Sequence, residues 1–171
     1  MKLFVVGDVT GEPGLRTLEK RLRPLRRYYG ADFTIVNGEN AAGTGITPEQ
    51  ADRIFAAGAD LITLGNHVWD KRQVVPYLED NRYILRPANL APQLPGEGCG
   101  IYEVCGKRLL VLDLIGRCEM AFGPDNPFLA ADRILRMLRE KYDIAVCEIH
   151  AAATSEKIAM GFYLDGRCAA V

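Results

Sequence analysis

Four short apolar runs of this 171-residue sequence each end on residues that can bind a metal ion or transfer a proton. The residues at these ends are Asp8, Glu39 with Asn40, Asn66 with His67, and His150. Short β-rich runs are typical of buried strands in a parallel sheet, and the carboxyl ends of such strands form the ligand crevice. Both histidines of the chain therefore fall at the same predicted edge as the two carboxylates.

The mixture of carboxylate, amide oxygen and imidazole at this edge indicates a particular kind of metal site. Such ligands suit a borderline transition ion such as iron, manganese or zinc, and they argue against an oxygen-only calcium site. Two ions about 3.5 to 4 Å apart would lower the pKa of a bridging water and hold both oxygens of a phosphoryl displacement. The residues therefore predict hydrolysis of a phosphoester by a binuclear metal centre.

Each of these residues also has a simpler structural explanation when it is taken alone. Asp8 and Asn66 could cap the helices that follow them, and Glu39 could be a structural loop residue. A single histidine is more often a satisfied polar group than a ligand. The metal hypothesis depends on the occurrence of all these residues at one sheet edge.

Strand and helix signals alternate along the chain, which is the βαβ pattern of an α/β fold. The length fits a single domain over residues 1–171. The local signals predict a first helix from the Gly11–Gly14 turn to about Tyr29, kinked or divided at Pro24, and a second from a capping box at Thr47–Gln50 to Gly58. They also predict a helix capped by Asp70 and a helix that begins at Asn126 and Pro127. A hairpin turn is predicted at Cys105–Lys107.

Composition excludes several classes of protein. With 49% hydrophobic and 25% charged residues the chain is neither disordered nor of a membrane class, and its net charge of −1 disfavours long nucleic acid as a partner. The five cysteines form no Cys-x-x-Cys pair, so we expect reduced, buried or half-buried thiols in a cytoplasmic protein. The first apolar run is too short for a signal peptide or a membrane span.

Longer motifs around the candidate ligands resemble the YmdB family of calcineurin-like metallophosphoesterases. The resemblance spans Met1 to Val171 and is carried by Gly7-Asp8-Val9, Asn37-Gly38-Glu39-Asn40-Ala41-Ala42, Gly65-Asn66-His67-Val68-Trp69-Asp70-Lys71, Arg86-Pro87-Ala88-Asn89, and His150 with Ala153-Thr154-Ser155-Glu156-Lys157. It implies the calcineurin-like metallophosphoesterase sandwich, in which central sheets are flanked by helices. It also implies a binuclear centre, usually of iron, and phosphodiesterase activity on small cyclic nucleotides such as 2′,3′-cyclic AMP.

The resemblance assigns a role to each candidate residue. Asp8 corresponds to a ligand of the first metal and Glu39 to the carboxylate that both metals share. The second metal would be held by Asn40, Asn66 and His150. His67 corresponds to the acid that protonates the leaving oxygen, a role for which imidazole is suited at neutral pH. Asp70 and Asn89 are candidates for residues that hydrogen-bond to the site residues without binding a metal themselves.

The sequence departs from the family pattern in two places. Ala152 stands where the family usually has a glutamate, and the family continues past Val171 into a Gly-Thr-His-Thr-His-like segment whose histidines complete the metal site. We therefore expect this chain to be an incomplete form of the domain. Association with another chain, including a homo-oligomer, is then possible through exposed strand edges, and weak metal occupancy with little turnover is expected.

Three alternatives remain open at this point. The same metal core could serve a phosphomonoesterase or a nuclease, because substrate choice depends on the pocket loops. The chain could instead be a non-catalytic scaffold that binds a nucleotide or a partner protein. The third alternative is a flavodoxin-like protein with a phosphate loop at Gly7–Gly14, but that loop lacks the Gly-Lys-Ser/Thr ending and the Gly-x-Gly-x-x-Gly spacing.

Overall fold

Two β-sheets pack face to face in the computed structural model, which describes residues 1–120 and 123–171. The first sheet is wholly parallel, and its strands lie side by side in chain order. These strands are β1 (Leu3–Val6), β2 (Phe33–Asn37), β3 (Leu61–Thr63) and β4 (Ile84–Leu85). A parallel sheet brings all its carboxyl ends to one edge, so three consecutive candidate segments meet there.

The second sheet has three strands and mixed pairing. Its strands, in spatial order, are β5 (Cys99–Val104), β6 (Lys107–Ile115) and β7 (Ile144–His150). β5 and β6 form an antiparallel hairpin, whereas β6 and β7 are parallel. The predicted hairpin turn is confirmed. Cys105 and Gly106 both have positive φ, as the two central residues of a type I′ turn require.

In the described part of the chain, five helices cover the outer faces of the two sheets. They are α1 (Gly11–Tyr29), α2 (Pro48–Ala57), α3 (Val74–Asp80), α4 (Pro127–Met137) and α5 (Thr154–Leu164). The first three bury their apolar faces against the first sheet, and the last two pack on the second. A separate core between the sheets contains Phe33, Leu109 and Val111. The resulting order of layers is helix, sheet, sheet, helix, which confirms the predicted α/β sandwich.

The local helix signals were correct at two helix starts. The side chain of Thr47 accepts from the Gln50 amide while the Gln50 side chain accepts from the Thr47 amide, which is a complete capping box. Asn126 caps α4 by accepting from the amides of Phe128 and Leu129. None of the helices in the described residues has the length and hydropathy needed to cross a bilayer.

Three local predictions were wrong. Pro24 does not divide α1, which runs unbroken from Gly11 to Tyr29, whereas the kink stays a prediction; Pro24 is exposed, so water can reach the carbonyl that loses its helical hydrogen bond. Asp70 does not cap α3, which begins at Val74 after Gln73 and has no side-chain cap. The cysteines carry no disulfide, but Cys105 and Cys118 are exposed rather than buried.

Candidate metal centre

The ends of the first three strands carry four of the candidate ligands. Strands β1 to β3 are in register, with Val6 opposite Val36 and Asn37 opposite Thr63, so their carboxyl ends are level. The loops that leave these ends carry Asp8, Glu39, Asn40 and Asn66. Glu39 is almost fully buried at 1% exposure of its side chain, while Asp8 is at the surface. The sheet alone therefore brings one buried and one exposed carboxylate to the same edge.

The fifth candidate ligand, His150, comes from the second sheet. The interpretation that all four ligand-bearing strands belong to one sheet is wrong, since β7 pairs with β6. The packing of the two sheets nevertheless brings His150 to the same site. Its Nε2 atom lies 3.0 Å from Oε1 of Glu39 and 3.0 Å from Oδ1 of Asn66.

Asn40 joins the two carboxylates of the site. Its Nδ2 atom donates to Oδ2 of Asp8 at 2.8 Å and to Oε1 of Glu39 at 3.1 Å. Together with the contacts of His150, these hydrogen bonds link all five predicted ligands into one continuous cluster. The five residues span 142 positions of sequence between Asp8 and His150, so only the tertiary fold brings them together.

The polar atoms of this cluster lie at ordinary hydrogen-bond distances of 2.8 to 3.1 Å from one another. The types of these residues, rather than their spacing, are what suit a cation. In the part of the chain that the structure describes, no three His, Cys, Asp or Glu side chains are arranged to hold a metal ion. A metal here would therefore depend on the amide oxygens of Asn40 and Asn66, and Asn40 would have to turn its amide by half a rotation.

Gly65 leaves the space that Glu39 and His150 occupy. A Cβ atom at this position would lie 1.9 Å from Oε2 of Glu39 and 2.7 Å from Cδ2 of His150. These distances are far below any van der Waals contact, so a side chain at residue 65 is incompatible with the observed cluster. The glycine in the Gly-Asn-His motif is thus explained by close approach rather than by a special backbone angle.

His67 lies beside the cluster and is oriented by Asp70. The Nδ1 atom of His67 is 2.9 Å from Oδ2 of Asp70, and the two side chains are 34% and 39% exposed. The backbone amide of His67 is directed at Oε2 of Glu39, at 3.5 Å. The contact with Asp70 therefore engages Nδ1 and fixes the orientation of the His67 ring.

His150 is influenced by two opposing effects. Its removal from water disfavours the charged imidazolium, but the hydrogen bond to Glu39 and the negative charge of that carboxylate outweigh this and raise the pKa of His150. Asp8 acts in the same direction from a greater distance. The site is therefore a strongly negative environment that favours a positive charge.

Two further carboxyl groups lie behind the cluster, and the sequence reasoning did not single them out. Asp113 on β6 and Glu148 on β7 are register partners, and both side chains bond to the first sheet. Burial raises the pKa of Asp113 well above its usual range, and burial also raises the pKa of Glu148. A lone acidic residue inside an otherwise apolar strand was the available signal.

Asn89 makes no side-chain hydrogen bond to the five clustered residues among the described residues. It is fully buried, and its side chain donates to the carbonyls of Ile115 and Asp125 and accepts from the Ile115 amide. These bonds attach the loop after β4 to the end of β6. Its predicted role behind the metal ligands stays a prediction, and any such role would act through the backbone of Ile115.

Comparison with solved structures identifies the class of fold. A protein of Thermus thermophilus, described as hypothetical, superposes with a TM-score of 0.90 at 43% identity and covers 98% of this chain and 65% of its own. A putative 5′-nucleotidase of Staphylococcus aureus superposes with a TM-score of 0.69 at 20% identity, over 96% of this chain and 42% of its own. The chain therefore shares the two-sheet α/β sandwich fold of these proteins, and the predicted fold class is confirmed.

Sequence comparison then gives the family. Residues 3–171 match the family described as YmdB-like protein. A Bacillus subtilis (strain 168) protein named 2′,3′-cyclic-nucleotide 2′-phosphodiesterase is 40% identical over 174 residues, which cover 100% of this chain and 65% of that protein. The chain belongs to the YmdB-like family, and the predicted resemblance is confirmed. It spans 65% of the length of the Bacillus relative.

Proposed function

We propose that this protein is a metal-dependent phosphodiesterase that hydrolyses small phosphodiesters such as 2′,3′-cyclic nucleotides. The observation that carries the proposal is the convergence of Asp8, Glu39, Asn40, Asn66 and His150 at one edge, with the His67–Asp70 pair beside it. The name of the Bacillus relative supports the substrate class.

In this proposal the five clustered residues hold two transition-metal ions. Asp8 would bind the first ion, Glu39 would bind both, and Asn40, Asn66 and His150 would bind the second. Iron is our first choice, with manganese or zinc as alternatives, because the ligand set mixes oxygen and imidazole nitrogen. When bound, such a pair of ions supplies an activated water and neutralises charge on the phosphoryl group.

The remaining chemical step falls to His67. Cleavage of the 2′ ester leaves an oxygen that needs a proton, and an imidazolium Nε2–H can donate it. Oδ2 of Asp70 lies 2.9 Å from Nδ1 of the same ring, which orients the ring for transfer from Nε2. The loop after β3 carries both residues, three positions apart.

Hydrolysis of defined substrates by the metal-loaded chain tests the proposal. Protein stripped by chelator and reloaded with Mn²⁺ or Fe²⁺ is assayed on 2′,3′-cyclic AMP, bis(4-nitrophenyl) phosphate, 4-nitrophenyl phosphate and single-stranded RNA. We expect metal-dependent opening of the cyclic nucleotide to the 3′-phosphate. Preference for the monoester or for RNA would instead favour the phosphomonoesterase or nuclease alternative.

Substitution of the proton donor separates an enzyme from a scaffold. His67→Asn should retain bound metal and lose turnover, because residue 67 is not one of the five proposed ligands. Nucleotide binding without any product, unaffected by chelator in wild type, would refute the enzyme and support the non-catalytic scaffold. Cytoplasmic location and self-association stay predictions from the sequence.

A further inference from the structure

Two carboxyl groups of the second sheet reach across the sandwich to the strand ends of the first sheet. We infer that Glu148 and Asp113 are positioning residues for the proposed metal centre, because they hold the strand ends that carry Glu39 and Asn66. This inference rests on the proposed function. Neither residue belongs to the five proposed ligands, and each acts through a residue or backbone group next to them.

Glu148 acts on Glu39 through Asn37. The Nδ2 atom of Asn37 donates to Oε1 of Glu148 at 2.9 Å, and the Oδ1 atom of Asn37 accepts from the backbone amide of Glu39 at 3.2 Å. Because an amide side chain has one donor and one acceptor end, the bond to Glu148 determines that the acceptor end faces Glu39. Glu148 thereby sets the backbone position of the carboxylate that both metals are proposed to share.

The end of β3 is held in a similar way. The hydroxyl of Thr63 donates to Oε2 of Glu148, and the backbone amide of Leu64 donates to Oδ2 of Asp113 at 3.0 Å. Leu64 precedes Asn66 by two residues and is itself fully buried. The two carboxyl groups therefore place β2 and β3 relative to β7, the strand that ends on His150.

The polarity of this bridge argues for a role in position rather than in core stability. Asp113 is fully buried, and its Oδ1 atom has no hydrogen-bond partner among the described residues. Carboxyl groups without full hydrogen bonding are unfavourable in a protein interior, where an apolar residue would pack at lower cost. What the carboxyl groups provide instead is directional bonding to groups next to the proposed ligands.

Paired substitutions at Glu148 test the inference. Glu148→Gln keeps a carbonyl oxygen for Asn37 and an amide that can donate to Thr63, whereas Glu148→Leu keeps the size and removes both bonds. We expect Glu148→Leu to weaken Mn²⁺ binding about 10- to 100-fold and Glu148→Gln to stay within about threefold of wild type. Asp60→Asn is the matched control. Asp60 accepts from the backbone amide of Thr34, which lies at the end of the first sheet opposite the candidate centre.

Two readouts make the result decisive. Calorimetric titration with Mn²⁺ gives the affinity, and amide hydrogen exchange of metal-free protein reports on the Glu39 amide directly. We expect faster exchange at Glu39 in Glu148→Leu but not in Glu148→Gln or the control. The effect of Glu148→Leu on Mn²⁺ should also be smaller in an Asn37→Ala background, because one of the two hydrogen bonds of Glu148 runs to Asn37 and the other to Thr63.

The outcomes separate this inference from the proposed function. Wild-type protein that fails to bind Mn²⁺ refutes the metal centre, and unchanged exchange at Glu39 in Glu148→Leu refutes the positioning role independently of metal. Equal loss of Mn²⁺ affinity in the Gln and Leu variants would show that the charge of Glu148 matters rather than its hydrogen bonds, and would overturn the inference.

Discussion

Substitution of Gly65 by alanine is the most direct test of how the candidate centre is packed. The added methyl group would stand 1.9 Å from Oε2 of Glu39, whereas carbon–oxygen contacts normally begin at about 3.3 Å. The carboxylate or the backbone of residue 65 would therefore have to shift by roughly 1.4 Å. His150 would also be displaced, because its Cδ2 atom would lie 2.7 Å from the same methyl group.

The contacts of Glu39 leave it little room to shift. Its side chain is 1% exposed, its Oε1 atom contacts His150 and Asn40, and its backbone amide is held by Asn37. Misplacement by about 1 Å at a reacting centre costs on the order of 10²-fold. We expect Gly65→Ala to weaken Mn²⁺ binding by at least about 100-fold, which corresponds to about 2.8 kcal/mol, and to lower kcat/KM by a similar or larger factor.

Gly7→Ala provides the matched control for this experiment. Gly7 also follows a strand of the first sheet and precedes a proposed ligand, Asp8, but a Cβ atom there would have nothing within 4 Å. Metal titration, thermal unfolding and cyclic-nucleotide hydrolysis would be measured on both variants. If Gly65→Ala bound Mn²⁺ and turned over substrate as well as Gly7→Ala, the close approach of Glu39 and His150 would not describe the working site.

Three further predictions concern other parts of the chain. Asp70→Asn should lower kcat by about tenfold or more at unchanged Mn²⁺ affinity, because His67 loses its orienting carboxylate; an equal loss of metal binding would contradict this. Because burial raises the pKa of Asp113 in the folded state, the stability it contributes is complete below the unfolded pKa of about 3.9 and falls as pH rises. Asp113→Asn should therefore gain stability relative to wild type as the pH rises above about 4, measured by urea unfolding, and a difference independent of pH would refute this. Thr47→Ala should lower the free energy of unfolding by about 1 kcal/mol through loss of the capping box, whereas Thr17→Ala on the exposed face of α1 serves as its control.

Sequence reasoning succeeded where the cause of a structural feature is local. The Thr47–Gln50 capping box and the Asn126 cap each satisfy backbone amides within three residues, so their signals are complete in the sequence. The grouping of Asp8, Glu39, Asn40, Asn66 and His150 was also indicated, because each lies at the end of a strand signal, whereas their role as ligands stays a prediction. The prediction that Asp70 caps α3 was wrong because an aspartate before a helix has competing partners, and His67 at three residues' distance takes it.

The parts that could not be predicted depend on contacts between the sheets. Nothing in the local pattern of β7 indicates that it pairs with β6 rather than with the first sheet. The partners of Glu148 lie 111 and 85 residues earlier in the chain, and the partner of Asp113 lies 49 residues earlier. Strand periodicity shows that such a carboxyl group faces inward, but the packing of one sheet on the other decides which atoms it meets.

The division of the candidate centre between two sheets also determines when it can form during synthesis. Strands β1 to β4 are complete once Leu85 has emerged from the ribosome, whereas His150 and Glu148 follow roughly 65 residues later, or about 3 to 13 s at ordinary rates of translation. Until then Asn37 and Thr63 lack their acceptor and Glu39 lacks its histidine neighbour. A nascent chain therefore cannot assemble this cluster at an early stage, and uptake of metal in the proposed geometry has to follow docking of the second sheet.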